Sequence, residues 1–253
     1  MGKFDGILIA TDLDGTLVSE GKISKENADA IRYFQSEGGL FTLATGRYAS
    51  HIKENFGNDI NFNMCVMTLN GNVLYDINEN KKLHVSLMDK NHTEHILNYS
   101  TDKFGDVINF INVCDEDESY KFEGHVHRDT CKCVFVMKTE ESAIALRNDL
   151  RENFSHLYNV ERSWPTGVEI YGINGGKGNA INYIRKNIYP EIKTVICVGD
   201  YENDTTMLKV ADIGYAVKNA TAEAKEASDR VTAVDNDHHA IAWIIQELEK
   251  HNE

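Results

Sequence analysis

The sequence predicts an α/β protein: a doubly wound parallel sheet interrupted by an α+β insert. Three observations carry this. Short apolar runs alternate with amphipathic helical segments near both ends of the chain. Several of these runs stop abruptly in a polar cluster. Between them, from about residue 89 to residue 172, the rhythm gives way to short strands mixed with two helical patterns. Strand–helix–strand order argues for parallel pairing through right-handed crossovers.

The first run, residues 7–10 (Ile-Leu-Ile-Ala), reads as a strand buried on both faces and ends in Asp12, Asp14, Gly15 and Thr16. Alternation along a strand puts Asp12 and Asp14 on one side. Two ionised carboxylates so placed repel, so one must hold a proton or a cation must lie between them. Ser24 then caps a helix carrying Ala28, Ile31 and Phe34 on one face, and Gly38-Gly39 ends it. A strand over 40–44 leads to Thr45, Gly46 and Arg47, a helix spans 49–56, and a strand over 65–69 leads to Asn70, Gly71 and Asn72.

Residues 73–75 and 83–85 read as a hairpin. The insert has helical patterns at 90–103 and 140–153, with strands at 107–113, 131–137 and 168–171; the acidic run 115–118 reads as a solvated loop. The α/β rhythm returns with Lys177 and a helix over 178–187. A strand over 194–198 ends in Gly199, Asp200, Tyr201, Glu202, Asn203 and Asp204. Met207, Leu208 and Ala211 suit a short helix, 213–217 a strand, and 221–227 a helix. A closing helix over 238–250 places Ile241, Ile244, Ile245 and Leu248 on its apolar face.

The bulk numbers narrow the function classes. With 253 residues, 42% hydrophobic and 26% charged, the chain suits a large domain carrying an insert. A formal net charge of −14 disfavours nucleic acid or an anionic membrane as partner. It also means that any phosphate site must supply its own positive charge. The five cysteines are odd in number, and Cys65 and Cys197 lie in apolar runs, which reads as reduced thiols in a cytoplasmic protein. The first residues carry no signal-peptide apolar core, and no apolar run approaches membrane-spanning length. His125 with His127, and His238 with His239, lack carboxylate or thiol partners at metal-ligand spacing.

On this map Asp12/Asp14, Thr45, Asn70 and Asp200/Asn203/Asp204 all follow strands of the predicted parallel sheet, the edge at which open α/β sheets bind ligands. The arrangement resembles the haloacid-dehalogenase-like superfamily of phosphohydrolases. The matching residues are D-L-D-G-T at 12–16, A-T-G-R at 44–47, Lys177 in G-G-K-G, and G-D-Y-E-N-D at 199–204. L-N-G-N at 69–72 and V-E-I-Y-G-I-N-G-G-K-G at 168–178 are similar to the Cof-type sugar-phosphatase branch. One departure is Gly176, where the family usually has Ser. The resemblance implies a Rossmann-like catalytic core over 1–85 and 173–253 and an α+β cap over 86–172. Only about thirty residues separate Asp14 from Thr45, too few to hold a cap there.

The resemblance also assigns chemistry. Asp12 is the nucleophile, forming an aspartyl-phosphate, and Asp14 is the acid for the leaving oxygen and then the base for water. Lys177 neutralises Asp12 and the phosphate. Asp12, Asp200 and a phosphate dianion sum to about four negative charges. Two like charges 4 Å apart repel by roughly 4 kcal/mol at an effective dielectric of 20, so one lysine cannot balance the site. A divalent cation is required, and all-oxygen ligands point to Mg²⁺, held by Asp12 and Asp200 and by the Asp14 backbone carbonyl, the last implied by the resemblance alone. Leu13, Thr45, Gly46, Lys177 and Asn203 are expected on the phosphate. Asp204 is expected to orient Lys177 or a metal-bound water. Arg47, Asn70 and Gly71 are candidate substrate contacts, and Asn219, Trp164 and Tyr171 are weaker ones. The expected activity is Mg²⁺-dependent hydrolysis of small phosphate monoesters, with sugar phosphates as the expected substrates. The alternatives are a phosphomutase using the same aspartate pair and a non-catalytic phosphosugar-binding protein. Oligomeric state stays open.

Overall fold

The computed structural model describes residues 2–251. They form two compact units: the chain up to Leu83 together with that from Lys177 onward, and His84–Gly176 between. The first unit opens with β1 (Ile7–Thr11), the hairpin β2 (Val18–Ser19) and β3 (Lys22–Ile23), α1 (Lys25–Ser36), β4 (Leu40–Leu43), α2 (Ala49–Phe56), β5 (Val66–Thr68), β6 (Val73–Asp76) and β7 (Lys81–Val85). The insert carries α3 (Lys90–Phe104), β8 (Ile108–Cys114), β9 (Ser119–Lys121), β10 (Lys132–Met137), α4 (Glu140–Phe154), β11 (Tyr158–Trp164) and β12 (Gly167–Gly172). The first unit resumes with α5 (Lys177–Tyr183), β13 (Thr194–Gly199), α6 (Thr205–Val210), β14 (Ile213–Ala216), α7 (Ala222–Ala227), β15 (Arg230–Val231) and α8 (Ala240–His251).

The main sheet runs β15-β14-β13-β1-β4, with every neighbour pair parallel. β1 lies between β13 and β4, so Ile9 has Ile196 on one side and Phe41 on the other. This explains its unbroken apolar run: a strand flanked on both edges and covered on both faces has no solvent side to mark with polar residues. Leu8, Ile9, Ala10, Phe41, Val195, Ile196 and Val198 are all buried in one core with Ile31 and Phe34 of α1 and Ile241 and Ile244 of α8. Ser24 caps α1, its hydroxyl accepting from the Asn27 amide at 3.2 Å. β5 extends the parallel order through a bridge between Ala44 and Met67, then turns antiparallel onto β6.

The insert is an antiparallel sheet in the order β11-β12-β10-β8-β9. Strand alternation sorts its residues. Ile111, Val113, Cys133, Phe135, Val160, Val168 and Ile170 pack with Ile96 and Leu97 of α3 and Leu146 and Leu150 of α4. The other side of the pleat carries Lys132, Glu161, Glu169 and Tyr171, all buried. Thr139 closes a capping box with Ser142 at the start of α4.

Four pieces of regular structure depart from the sequence expectation. β2–β3, β9 and β15 are each at most three residues long, too short for a periodic pattern to register. β11 was hidden because Glu161 and Arg162 interrupt its apolar run. The expectation of a solvated loop at 115–118 fails for Asp115, which is 2% exposed. One of its oxygens accepts from the amides of Asp117 and Glu118, and the other takes Arg128 Nε at 2.8 Å, so local turn bonds replace water. The helix expected over 178–187 is α-helical only to Tyr183 and finishes as a π-turn over Ile184–Ile188. Gly176 has φ +101°, and a Cβ there would lie 2.9 Å from the Tyr171 ring, so glycine suits this position on both counts.

Candidate active site

The carboxyl edge of the parallel sheet gathers most of the expected residues. The ladder between β1 and β13 runs one step past β1, the Asp12 amide donating to the Val198 carbonyl at 2.8 Å, so the Asp12 side chain leaves the sheet from a fixed backbone. Lys177, the first residue of α5, is fully buried. Its Nζ donates to Asp12 Oδ1 and to Asp204 Oδ1, both at 2.6 Å. The second Asp204 oxygen accepts from the backbone amides of Asp200 at 2.9 Å and Tyr201 at 3.1 Å. Asp204 therefore braces the loop after β13 and the lysine at once. Asp200 Oδ1 accepts from the Thr16 hydroxyl at 2.7 Å. Gly15, at φ +85°, makes room for this: a Cβ there would stand 2.7 Å from Asp200 Oδ2.

Asp12, Asp200 and Asp204 each bring a carboxylate oxygen within 4.8 Å of the others. Burial pushes the Asp12 carboxyl well above the usual aspartate range; Lys177 opposes the rise, and Asp204 and Asp200 reinforce it. Burial, then the charge of Asp204, lifts Asp200 to about 7. Burial opposes the charge on Lys177, but the carboxylates of Asp12 and Asp204 outweigh it and raise the lysine above its ordinary value. Three acids thus share one amine, and the surplus negative charge is held in place by backbone amides and a threonine hydroxyl. The donor set is all oxygen and suits a hard divalent cation. Asp200 Oδ2, kept clear by Gly15, is an acceptor that such an ion would use.

The other expected residues sit on the neighbouring loops of the same unit, except Trp164 and Tyr171, which lie on β11 and β12 of the insert. Thr45 is buried; its amide donates to Met67 at 2.9 Å, and its hydroxyl accepts from the Arg47 amide at 3.2 Å, with Gly46 between them. Leu13 is buried and its carbonyl accepts from the amides of Leu17 and Val18, closing the turn after Asp12. Asn203 Nδ2 donates to Asn70 Oδ1 at 3.3 Å. Leu69 and Asn70 both have positive φ, at 50° and 58°, and Gly71 follows at 81°. This strained stretch is tied to the preceding loop by Asn70 N to Thr45 O at 2.8 Å and Leu69 N to Arg47 O at 3.1 Å. Asn219 donates to the Gly15 carbonyl at 2.8 Å, so it supports the first loop.

Asp14 stands apart from the lysine cluster. Its carboxylate, half exposed, receives Arg47 Nε at 2.7 Å and Nη2 at 2.5 Å. His51 of α2, one turn beyond Arg47, brings both ring nitrogens within 2.9 Å of Arg47 Nη1. Sequence reasoning had no place for Thr16 as a support of Asp200 or for His51. The first follows the D-x-D-G pattern directly, and the second lies four residues past Arg47 at helix spacing.

The chain matches the family model of haloacid dehalogenase-like hydrolase over residues 9–128 and 114–245. The 5-amino-6-(5-phospho-D-ribitylamino)uracil phosphatase YcsE of Bacillus subtilis is 26% identical over 233 residues, 89% of each chain. Among solved structures, a haloacid dehalogenase-like hydrolase from B. subtilis shares the fold with a TM-score of 0.83 at 23% identity, over 95% of this chain and 99% of that one. A sugar phosphatase of subclass IIB of the same superfamily does so with a TM-score of 0.76 at 20% identity, over 96% and 98%.

Proposed function

We propose, from the premise that the chain belongs to the haloacid dehalogenase-like hydrolase family and is a phosphatase, that it hydrolyses small sugar phosphates through an aspartyl-phosphate on Asp12 with Mg²⁺ as cofactor. The observation that carries this reading is the buried Lys177 bonded to Asp12 and Asp204 while Asp200 adds a further carboxylate. A purely structural ion pair has no use for that surplus charge.

Asp12 attacks phosphorus: a bond forms from its free oxygen to phosphorus as the ester bond to the leaving alcohol breaks. Asp14 hands its proton to the departing oxygen, then takes one from the water that cleaves the aspartyl-phosphate. Lys177 fixes the Asp12 carboxylate through Oδ1 and leaves Oδ2 for the attack. Asp12 and Asp200, with the Asp14 carbonyl, would hold Mg²⁺, which supplies the positive charge that offsets the phosphoryl oxygens. Leu13, Thr45, Gly46 and Asn203 surround the phosphate in this reading, with Asn70 and Gly71 towards the substrate.

The sugar phosphate is suggested by the L-N-G-N stretch at 69–72, by the phosphoribityl substrate in the name of the B. subtilis relative, and by the subclass IIB sugar phosphatase. The buried thiols of Cys65, Cys114, Cys131, Cys133 and Cys197 suit a reducing compartment, and we place the protein in the cytoplasm. Among the described residues no helix is long and apolar enough to cross a membrane.

The test is phosphate release from a panel of sugar and aryl phosphates. Wild-type turnover is expected to stop with chelator, to return with Mg²⁺, and to fall by about 10³-fold or more in Asp12→Asn. Full activity in Asp12→Asn rules out the covalent route.

A further inference from the structure

Arg47 is the arginine of the A-T-G-R run and was expected to meet substrate. The structure gives it other work. Its Nε and Nη2 fork onto both oxygens of Asp14, and its Nη1 lies against the His51 ring. The guanidinium carbon also sits 5.8 Å from the centre of the Phe56 ring. Each nitrogen of the group therefore has a partner within the protein, while the side chain as a whole stays 30% exposed. The backbone of Arg47 is held as well, its amide by the Thr45 hydroxyl and its carbonyl by the Leu69 amide.

A half-exposed aspartate has several rotamers open to it, whereas a general acid must sit within hydrogen-bond reach of one oxygen. A fork with two parallel N–H···O contacts sets both the position and the plane of the ionised carboxylate, which a single point charge does not. When Asp14 takes up the proton that it hands to the leaving oxygen, that proton replaces one contact of the fork and the other keeps the carboxyl in place. We propose that Arg47 is a positioning residue for Asp14, and that His51 and Phe56 on α2 hold Arg47 in place for that task. The inference rests on the reading of Asp14 as the group that serves the leaving oxygen.

Leaving groups separate this role from substrate binding. The p-nitrophenolate ion departs without a proton, while an alkyl alcohol needs one. The constant kcat/KM reports the steps up to that departure. In Arg47→Lys, which keeps the charge but loses the fork, kcat/KM for glycerol phosphate is expected to fall about 10- to 100-fold, and that for p-nitrophenyl phosphate less than about 3-fold. The loss is expected in kcat, with KM within about 2-fold of wild type. His51→Leu is expected to show the same selectivity at smaller size, and His51→Gln, which restores an acceptor, to recover most of it. Equal losses on both esters, or a rise in KM at constant kcat, overturn the inference.

A second measurement needs no turnover. Nitrogen–proton NMR is expected to show a slowly exchanging Arg47 Nε–H signal that disappears in Asp14→Ala and broadens in His51→Leu. A wild-type protein without that protected signal also overturns the inference. Wild-type protein inert towards both esters removes the mechanism on which the inference rests while the signal persists, so the two failures are told apart.

Discussion

Both units of this protein bury charge, and they do it differently. In the insert, Lys132 and Glu169 lie on adjacent strands, β10 and β12, and pair at 2.8 Å with both side chains nearly inaccessible. Alongside, Tyr171 donates to Glu161 on β11, and Arg162 meets Glu140 at 2.9 Å. Each cation there has an anion from its own sheet or its neighbouring helix. In the first unit one buried cation, Lys177, faces Asp12 and Asp204 at 2.6 Å while Asp200 stands close by. A matched pair needs nothing more to be stable, although forming it gains little over apolar residues. An unmatched cluster must lower its charge by taking up protons or a cation, as the raised carboxyls of Asp12 and Asp200 show. Which buried charges are structural and which await a ligand is therefore read from their sum.

The largest effect expected on stability comes from removing the cations. Lys132→Met strands Glu169 without the partner that pairs with it and is expected to cost about 3–5 kcal/mol in denaturant melts. The double change Lys132→Met with Glu169→Leu is expected to recover most of that loss, because the desolvation of both charges disappears together. Lys177→Met is expected to destabilise the metal-free protein by a similar amount, to recover on adding Mg²⁺, and to leave turnover reduced by at least about 100-fold. If the double change is as unstable as the single one, the insert pair is not simply matched charge. If Mg²⁺ does nothing for Lys177→Met, the surplus in the first unit is not a cation site.

A smaller effect is a pH slope. In the metal-free protein Asp200 titrates near 7, against 3.8 for an ordinary aspartate, and burial is the main cause. The folded state then holds this proton more tightly than the unfolded chain does. The contribution of this group to stability is greatest below the unfolded value, falls as pH rises between about 4 and 7, and is gone above the folded value. Asp12, raised in the same direction, adds to the slope. A shift of this size corresponds to about 4 kcal/mol. Subtracting melts of Asp200→Asn from those of wild type in chelator isolates the contribution. Mg²⁺ is expected to flatten the difference over the pH range in which it stays bound, since it holds the carboxylate ionised there. A difference that rises with pH refutes the assignment.

The smallest effect is a control blind to charge. Ser24 and Thr139 cap one helix in each unit through side-chain oxygens. Ser24→Ala and Thr139→Ala are each expected to lower stability by about 1 kcal/mol, without response to Mg²⁺. A Mg²⁺-dependent change in either would mean that the ion acts on the fold at large and not on the aspartate cluster.

Much of the site was legible beforehand. Asp12, Lys177, Asp200 and Asp204 were visible because each follows a short apolar run or opens a helix, positions that recur in one order along the chain. Asp204, expected to orient Lys177 or a metal-bound water, bonds Lys177 Nζ at 2.6 Å. The fork from Arg47 to Asp14 was not legible, since 33 residues separate the partners and neither type of side chain announces its direction. His51 was invisible for the same reason: a histidine on a helix has many ordinary uses. Asp115 misled because an acidic run reads as solvated, whereas local amides and Arg128 satisfied one member of it.

By itself the order of apolar runs and polar ends determined the parallel sheet, the edge on which the acids gather and the chemistry they resemble. Those features follow from burial and from strand direction, both of which are local along the chain. Only the tertiary structure decided which charges are matched and which are left in surplus, and which side chain steadies Asp14. Those are sums over groups brought together from distant segments, and Coulomb energy depends on distance through space, not on position in the sequence.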